Sequence, residues 1–131
     1  MKGFVGDIEE LTEENKDFRR VLYTGKHLQL VLMALKPGEE IGDEVHSDHD
    51  QFFRVEKGKG EVLIDGVRTK IKSDDAIIVP AGARHNVINT GEKSLKLYTI
   101  YGPPDHRDGV VRATKAEAEA GDEHFDGKTT E

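Results

Sequence analysis

Residues 44–53 read EVHSDHDQFF, two histidines, three carboxylates and an amide set directly ahead of two phenylalanines. In an extended chain, side chains two apart share a face. Glu44 and His46 therefore point together, and after a bend at 47–50 the residues Gln51, Phe53 and Val55 form a second such face. His85 and Val87, from a later run, supply a third. One carboxylate, two imidazoles and an amide oxygen converging from three strands make a mixed nitrogen and oxygen donor set suited to a divalent ion. His49 breaks the parity: it shares the inward direction with Gln51, or the bend places it at the mouth of the pocket, or else SDHD is a solvated turn. A rival set of His46, His49 and His85 requires the bend to turn both first-stretch histidines inward. The plainer reading of His46 and His85 is a pair of hydrogen-bonded core histidines in a barrel without metal.

Outward from this stretch the chain reads as strands. RRVLYTG, LQLVLMALKPGEE, QFFRVEKGKGEVLIDGVRTKI, DAIIVPAG, HNVINTGE and SLKLYTIYGPP follow one another with turn signals between them, the rhythm of an antiparallel sandwich or barrel. Asp65-Gly66 and Asn89-Thr90-Gly91 supply the positive-φ positions of tight connections. Asp7 followed by Glu10 predicts a short helix within 7–17, and Thr114 followed by Glu117 another over 114–120. The expected organisation is one all-β domain spanning 1–131, with a core at about 18–103 and a polar extension at 104–131 that carries the second helix.

Composition bounds the function. With 131 residues, 35% hydrophobic and 34% charged, the chain has room for one core. A net charge of −7 argues against nucleic acid, whose phosphates need a basic face. No apolar run reaches the length of a membrane span and the N-terminus lacks a signal-peptide pattern, so a cytoplasmic location without membrane contact is expected. The absence of cysteine excludes thiolate chemistry and restricts any metal to His, carboxylate and amide ligands.

From about residue 36 to 102 the chain resembles the cupin superfamily. Of that family's second motif, Pro80-Ala81-Gly82, His85 and Asn89 stand at the expected spacings, with Asp74 where an opening glycine is usual. In the first motif, counting back from Gly58 places Gln51 where a glutamate is expected, and His46 and Glu44 where two histidines are expected. The resemblance implies a double-stranded β-helix, the cupin or jelly-roll barrel, with Glu44, His46, Gln51 and His85 at the metal positions. Exchange of an imidazole for an amide oxygen tilts the site away from copper and toward manganese, iron, nickel or zinc.

Other residues are candidates for a ligand. Phe53, Met33, Val31, Val87 and Leu97 suit either an apolar pocket wall or a barrel core. Arg84 suits an anionic substrate, Arg54 does so less, and Tyr98 and Tyr101 suit the barrel mouth. His27, His106 and His124 read as surface or tail groups. Two functions follow. One is a metal-dependent enzyme acting on a small organic molecule by a sugar-phosphate isomerase-like or dioxygenase-type reaction, with His49 moving a proton at the mouth. The other is a non-catalytic module binding a carbohydrate or other small ligand with weak or absent metal. Small cupin barrels commonly pair, and the strand RRVLYTG with the apolar edge LQLVLMAL offers a surface for a homodimer.

Overall fold

Alternation of inward apolar and outward polar residues builds two antiparallel sheets that face one another. The structure, a computed structural model, describes residues 1–121 and 123–131. After helix α1 (Ile8–Glu14) come β1 (Arg19–Thr24), β2 (Gln29–Leu35), β3 (Glu44–Val45), β4 (Asp50–Lys57), β5 (Lys59–Ile64) and β6 (Val67–Lys72). They are followed by β7 (Ala76–Val79), β8 (Arg84–Ile88), β9 (Leu95–Gly102), β10 (Val111–Arg112) and helix α2 (Lys115–Ala120). One sheet has the order β10-β1-β2-β9-β4-β7 and the other β3-β8-β5-β6. This is the double-stranded β-helix that the two motifs implied.

Strand parity sets the core. Along β9 the residues Leu95, Leu97, Thr99 and Tyr101 are buried, and along β4 so are Gln51, Phe53 and Val55. Val31, Met33, Leu35, Val62 and Val87 complete the interior from the neighbouring strands. Phe53, Met33, Val31, Val87 and Leu97 are thus core residues. The apolar run LQLVLMAL is not an edge, because β2 lies between β1 and β9.

The helix signals act as capping predicts. Asp7 Oδ1 accepts from the Glu10 backbone N–H at 3.1 Å, and Thr114 Oγ1 accepts from that of Glu117 at 3.1 Å. The segment after β9 lies against the barrel: β10 pairs with β1, and Val110 and Ala118 are buried with the core. Thr130 is bonded to Thr24 through both its backbone N–H and its side chain, at 2.9 and 2.8 Å.

Candidate metal centre

Register brings the first members of the site together. Glu44 on β3 is the cross-strand partner of His85 on β8, and Gln51 on β4 lies opposite Val79 on one side and Tyr101 on the other. Residues directly opposite on one face are close enough for their side chains to meet. The bend after β3 is stitched to the turn before β8. Gly82 N–H donates to His46 O at 2.8 Å and Ala81 N–H to Asp50 Oδ1 at 2.8 Å. Gly82 has φ +89°, so the turn that receives His46 depends on a residue without Cβ.

Within this frame Glu44, His46 and His85 can each offer one ligand atom such that all lie within 4.8 Å of one another. Glu44 Oε2 stands 3.0 Å from His46 Nε2, and Gln51 Oε1 stands 3.1 Å from His85 Nε2. The second contact is informative. His85 Nδ1 lies 3.2 Å from Ala83 O, which can only accept, so the ring proton belongs on Nδ1 and Nε2 carries a lone pair. Thr99 Oγ1 donates to Phe52 O at 2.8 Å and so accepts from Gln51 Nε2 at 3.0 Å, which turns the amide oxygen of Gln51 toward His85. Two acceptors thus confront each other in a buried site, an arrangement that a cation reconciles. The donors present fit a divalent ion of nitrogen and oxygen preference.

A second group adjoins the first. His49 stacks on His46 with ring centroids 4.4 Å apart, and His46, His49 and Asp105 also bring ligand atoms within 4.8 Å. Of the three placements open to His49, the interior, the pocket mouth and a solvated turn, its 7% exposure matches the first. The bend turns it inward beside His46, because the β3 ladder ends at Val45 and strand parity no longer applies. Its Nδ1 faces Asp48 at 3.0 Å; its buried Nε2 has no hydrogen-bond partner among the described residues and faces Asp105 Oδ1 at 3.5 Å.

Electrostatics divides the histidines. Burial alone would lower His46, but the hydrogen bond it donates to Glu44 and the charges of Asp105, Glu44 and Asp48 outweigh it, so its pKa lies above the ordinary value. His106 goes the other way: burial and the nearby Arg19 push it down to about 4. Tyr101 is held in its neutral form by burial and by the charges of Glu44 and Asp105. Its hydroxyl stands 3.2 Å from His106 Nε2, within hydrogen-bond reach.

Of the remaining residues singled out in the sequence, Tyr101 reaches the site, with its ring 5.7 Å from that of His49 and 5.9 Å from that of His46. Phe53 is fully buried, its ring 6.3 Å from His85, and forms the floor beneath the imidazole. Arg84 does not line the cavity: it points outward from β8 and pairs with Asp43 at 2.7 Å. Tyr98 also faces out, packed on Phe52 at 6.1 Å, because it is three residues from the inward Tyr101. Arg54 pairs with Glu56 and Asp74 on the outer face. His106, read as a tail group, is buried, and Asp105 and Arg19 join the site unannounced. Arg19 could have been found from the inward parity it shares with Val21 in RRVLYTG. Asp105 and His106 lie beyond the last strand, in a segment without periodicity. The cavity they share with Glu44 and His46 has a volume of about 490 Å³.

Residues 31–101 match the cupin domain family. The chain is a member of that family. Among relatives of this cupin, an uncharacterised protein of Bacillus subtilis (strain 168), YrkC, is 48% identical over 128 residues, which cover 93% of this chain and 69% of the relative. An uncharacterised protein of Acanthamoeba polyphaga mimivirus, L612, is 42% identical, over 82% of this chain and 70% of its own. The crystal structure of BH2720 from Bacillus halodurans superposes with a TM-score of 0.89 at 48% identity, covering 90% of this chain and 94% of that one. The family and the donor set agree on a metal-capable barrel. No helix among the described residues is long and apolar enough to cross a membrane.

Proposed function

We propose that this cupin is a metal-dependent enzyme acting on a small organic molecule, with the ion held by Glu44, His46, Gln51 and His85. The observation that carries the reading is the opposition of Gln51 Oε1 and His85 Nε2 at 3.1 Å, each fixed as an acceptor by its own partner. Such prior orientation of donors is what a bound ion requires and what a purely structural hydrogen bond would not produce. Manganese, iron, nickel or zinc suits the set, and when bound it would serve as a Lewis acid toward an oxygen of the substrate.

The chain's own residues then handle the proton. His49 Nε2, lacking a hydrogen-bond partner but beside Asp105, can take a proton from a bound molecule and return it, with the Asp105 carboxylate stabilising the charged imidazole. Phe53 closes the floor against water, and Tyr101 offers a neutral hydroxyl. A paired base and carboxylate next to the donor set favours isomerase-type proton transfer over a dioxygenase reaction, which needs no such relay. The second reading, a binding module for a carbohydrate or other small ligand, draws on the Glu44–His46 contact at 3.0 Å, which satisfies two of the donors without an ion.

Metal analysis separates the two. Protein purified and then loaded in turn with manganese, iron, nickel and zinc should retain one of them stoichiometrically, and His85→Ala should abolish that retention. A chain that retains none of the four is a binding module.

A further inference from the structure

We infer that Arg19 is an anion anchor in the same cavity, and that the ligand it receives is a small monocarboxylate. The inference rests on the cavity being the ligand site, though not on the ion.

The chain holds seven arginines among an excess of acids. Arg20, Arg54, Arg68, Arg84 and Arg112 each pair with a carboxylate, and Arg107 is exposed to solvent. Arg19 differs. It shares the inward parity of Val21 on β1 and lines the cavity with Glu44 and His46. Its Nε is buried without a hydrogen-bond partner, and no carboxylate among the described residues pairs with it. The Phe18 ring lies 5.7 Å from its guanidinium carbon. A half-buried guanidinium with no carboxylate partner among the described residues is free to receive an incoming anion.

A second observation concerns the neighbouring strand. Arg19 stands directly opposite Arg112 in the β1–β10 register, a like-charged pair of the kind that weakens a sheet. Arg112 is neutralised by Glu123. The cavity's other acids are likewise engaged: Glu44 with His46 at 3.0 Å, Asp105 between His49 and His106 at 3.5 Å each, and Glu119 with Lys115 at 3.6 Å. Arg19 is the one arginine among the lining residues, and no carboxylate of the described residues pairs with it.

The same acids set the class of anion. A dianionic phosphate would bring two charges to one guanidinium in a cavity that also contains Glu44, Asp105, Glu119 and Glu123. A monocarboxylate brings one, and its two oxygens match the guanidinium fork. The volume of about 490 Å³ is that of a small-molecule site.

Calorimetric titration of the full chain with lactate, gluconate, benzoate, lactamide and inorganic phosphate tests this, run on metal-free and nickel-loaded samples with metal content measured in each. At least one of the three carboxylates should bind the wild type, and more tightly than lactamide or phosphate. Arg19→Gln should weaken that binding about tenfold or more, Arg19→Lys should recover part of it, and Arg20→Gln, on the outer face, should leave it unchanged. Metal content should be the same in all variants. Binding unaffected by Arg19→Gln, a preference for phosphate or lactamide, or no carboxylate binding at all would overturn the inference. Arginine-dependent binding by a chain that takes up no metal would leave it standing while removing the metal-dependent enzyme.

Discussion

The amide of Gln51 is oriented by a hydroxyl it never shares with a ligand. Thr99 uses its one proton on Phe52 O and so forces Gln51 to donate, leaving the amide oxygen facing His85. Thr99→Val removes that constraint and lets the amide turn over. Metal affinity should fall about tenfold while the fold is kept, since loss of an outer partner typically has that effect. Gln51→Glu should raise affinity by adding a carboxylate at the same position. Glu44→Ala and His46→Ala should both lower occupancy measured by metal analysis, and His49→Ala should leave it nearly unchanged. Loss of metal in His49→Ala with retention in Glu44→Ala would move the ion to the His46, His49, Asp105 group.

His106 gives a prediction with a definite sign. Its pKa in the folded chain is about 4 against an ordinary value of 6.5, so the unfolded chain binds its proton first as pH falls. Above 6.5 both states are neutral and the group contributes nothing. Between 6.5 and 4 it destabilises the fold progressively, by about 3 kcal/mol in full. His106→Gln should therefore show a flatter decline of stability across that interval in urea melts at stepped pH. A parallel decline in variant and wild type would show that His106 titrates normally. At this scale the sequence revealed the spacing of Glu44, His46, Gln51 and His85 through strand parity. It left His49 open between the mouth and the interior and concealed Asp105 and His106, because a bend and a loop obey no period.

Asn89 of the second motif and Gly60 on β5 carry structure, not chemistry. Asn89 is buried and donates to Leu35 O and Lys93 O, both at 2.9 Å, while its Oδ1 accepts from Gly91 N–H at 2.9 Å. Asn89→Ala leaves buried backbone groups without partners and should cost about 3 kcal/mol in chemical denaturation, with metal content per folded chain unchanged. Gly60 on β5 lies so close to Ile88 O on β8 that a Cβ would collide with it. Gly60→Ala should be destabilising by at least about 1–3 kcal/mol, because the obstacle is backbone and cannot turn aside. The long strands were legible from alternation and turn residues; Asp65 and Gly66 adopt φ of +46° and +82°, as the hairpin signal required. The pairs β3 and β10 were not, since two-residue strands carry no readable period. They are the elements that hold Glu44 and that set Arg112 opposite Arg19.

For the whole molecule, the outer face of the six-stranded sheet poses a question that the interior does not. Leu30 is paired with Ile100, Ile100 with Phe52, and Phe52 with Ile78, so one register row crosses four strands with apolar side chains directed outward. Ile78 at the end of that row is 69% exposed and Leu28 beside its start is 61% exposed. α1 packs against β9 and β4. Scattered exposed leucines mean little, but a continuous apolar row across four strands is the form an association surface takes. We propose that a second copy of the chain covers it. The homodimer expected from RRVLYTG and LQLVLMAL is thereby relocated from an edge of the sheet to its outer face. A two-fold arrangement would set each row against its equivalent, as an isologous contact requires. Light scattering at micromolar concentration should give about twice the 14.6 kDa of the chain, and Ile78→Lys should halve that mass without lowering metal content, since Ile78 faces away from the cavity. A wild type that scatters as a monomer, or an Ile78→Lys variant that stays paired, would remove this face as the interface.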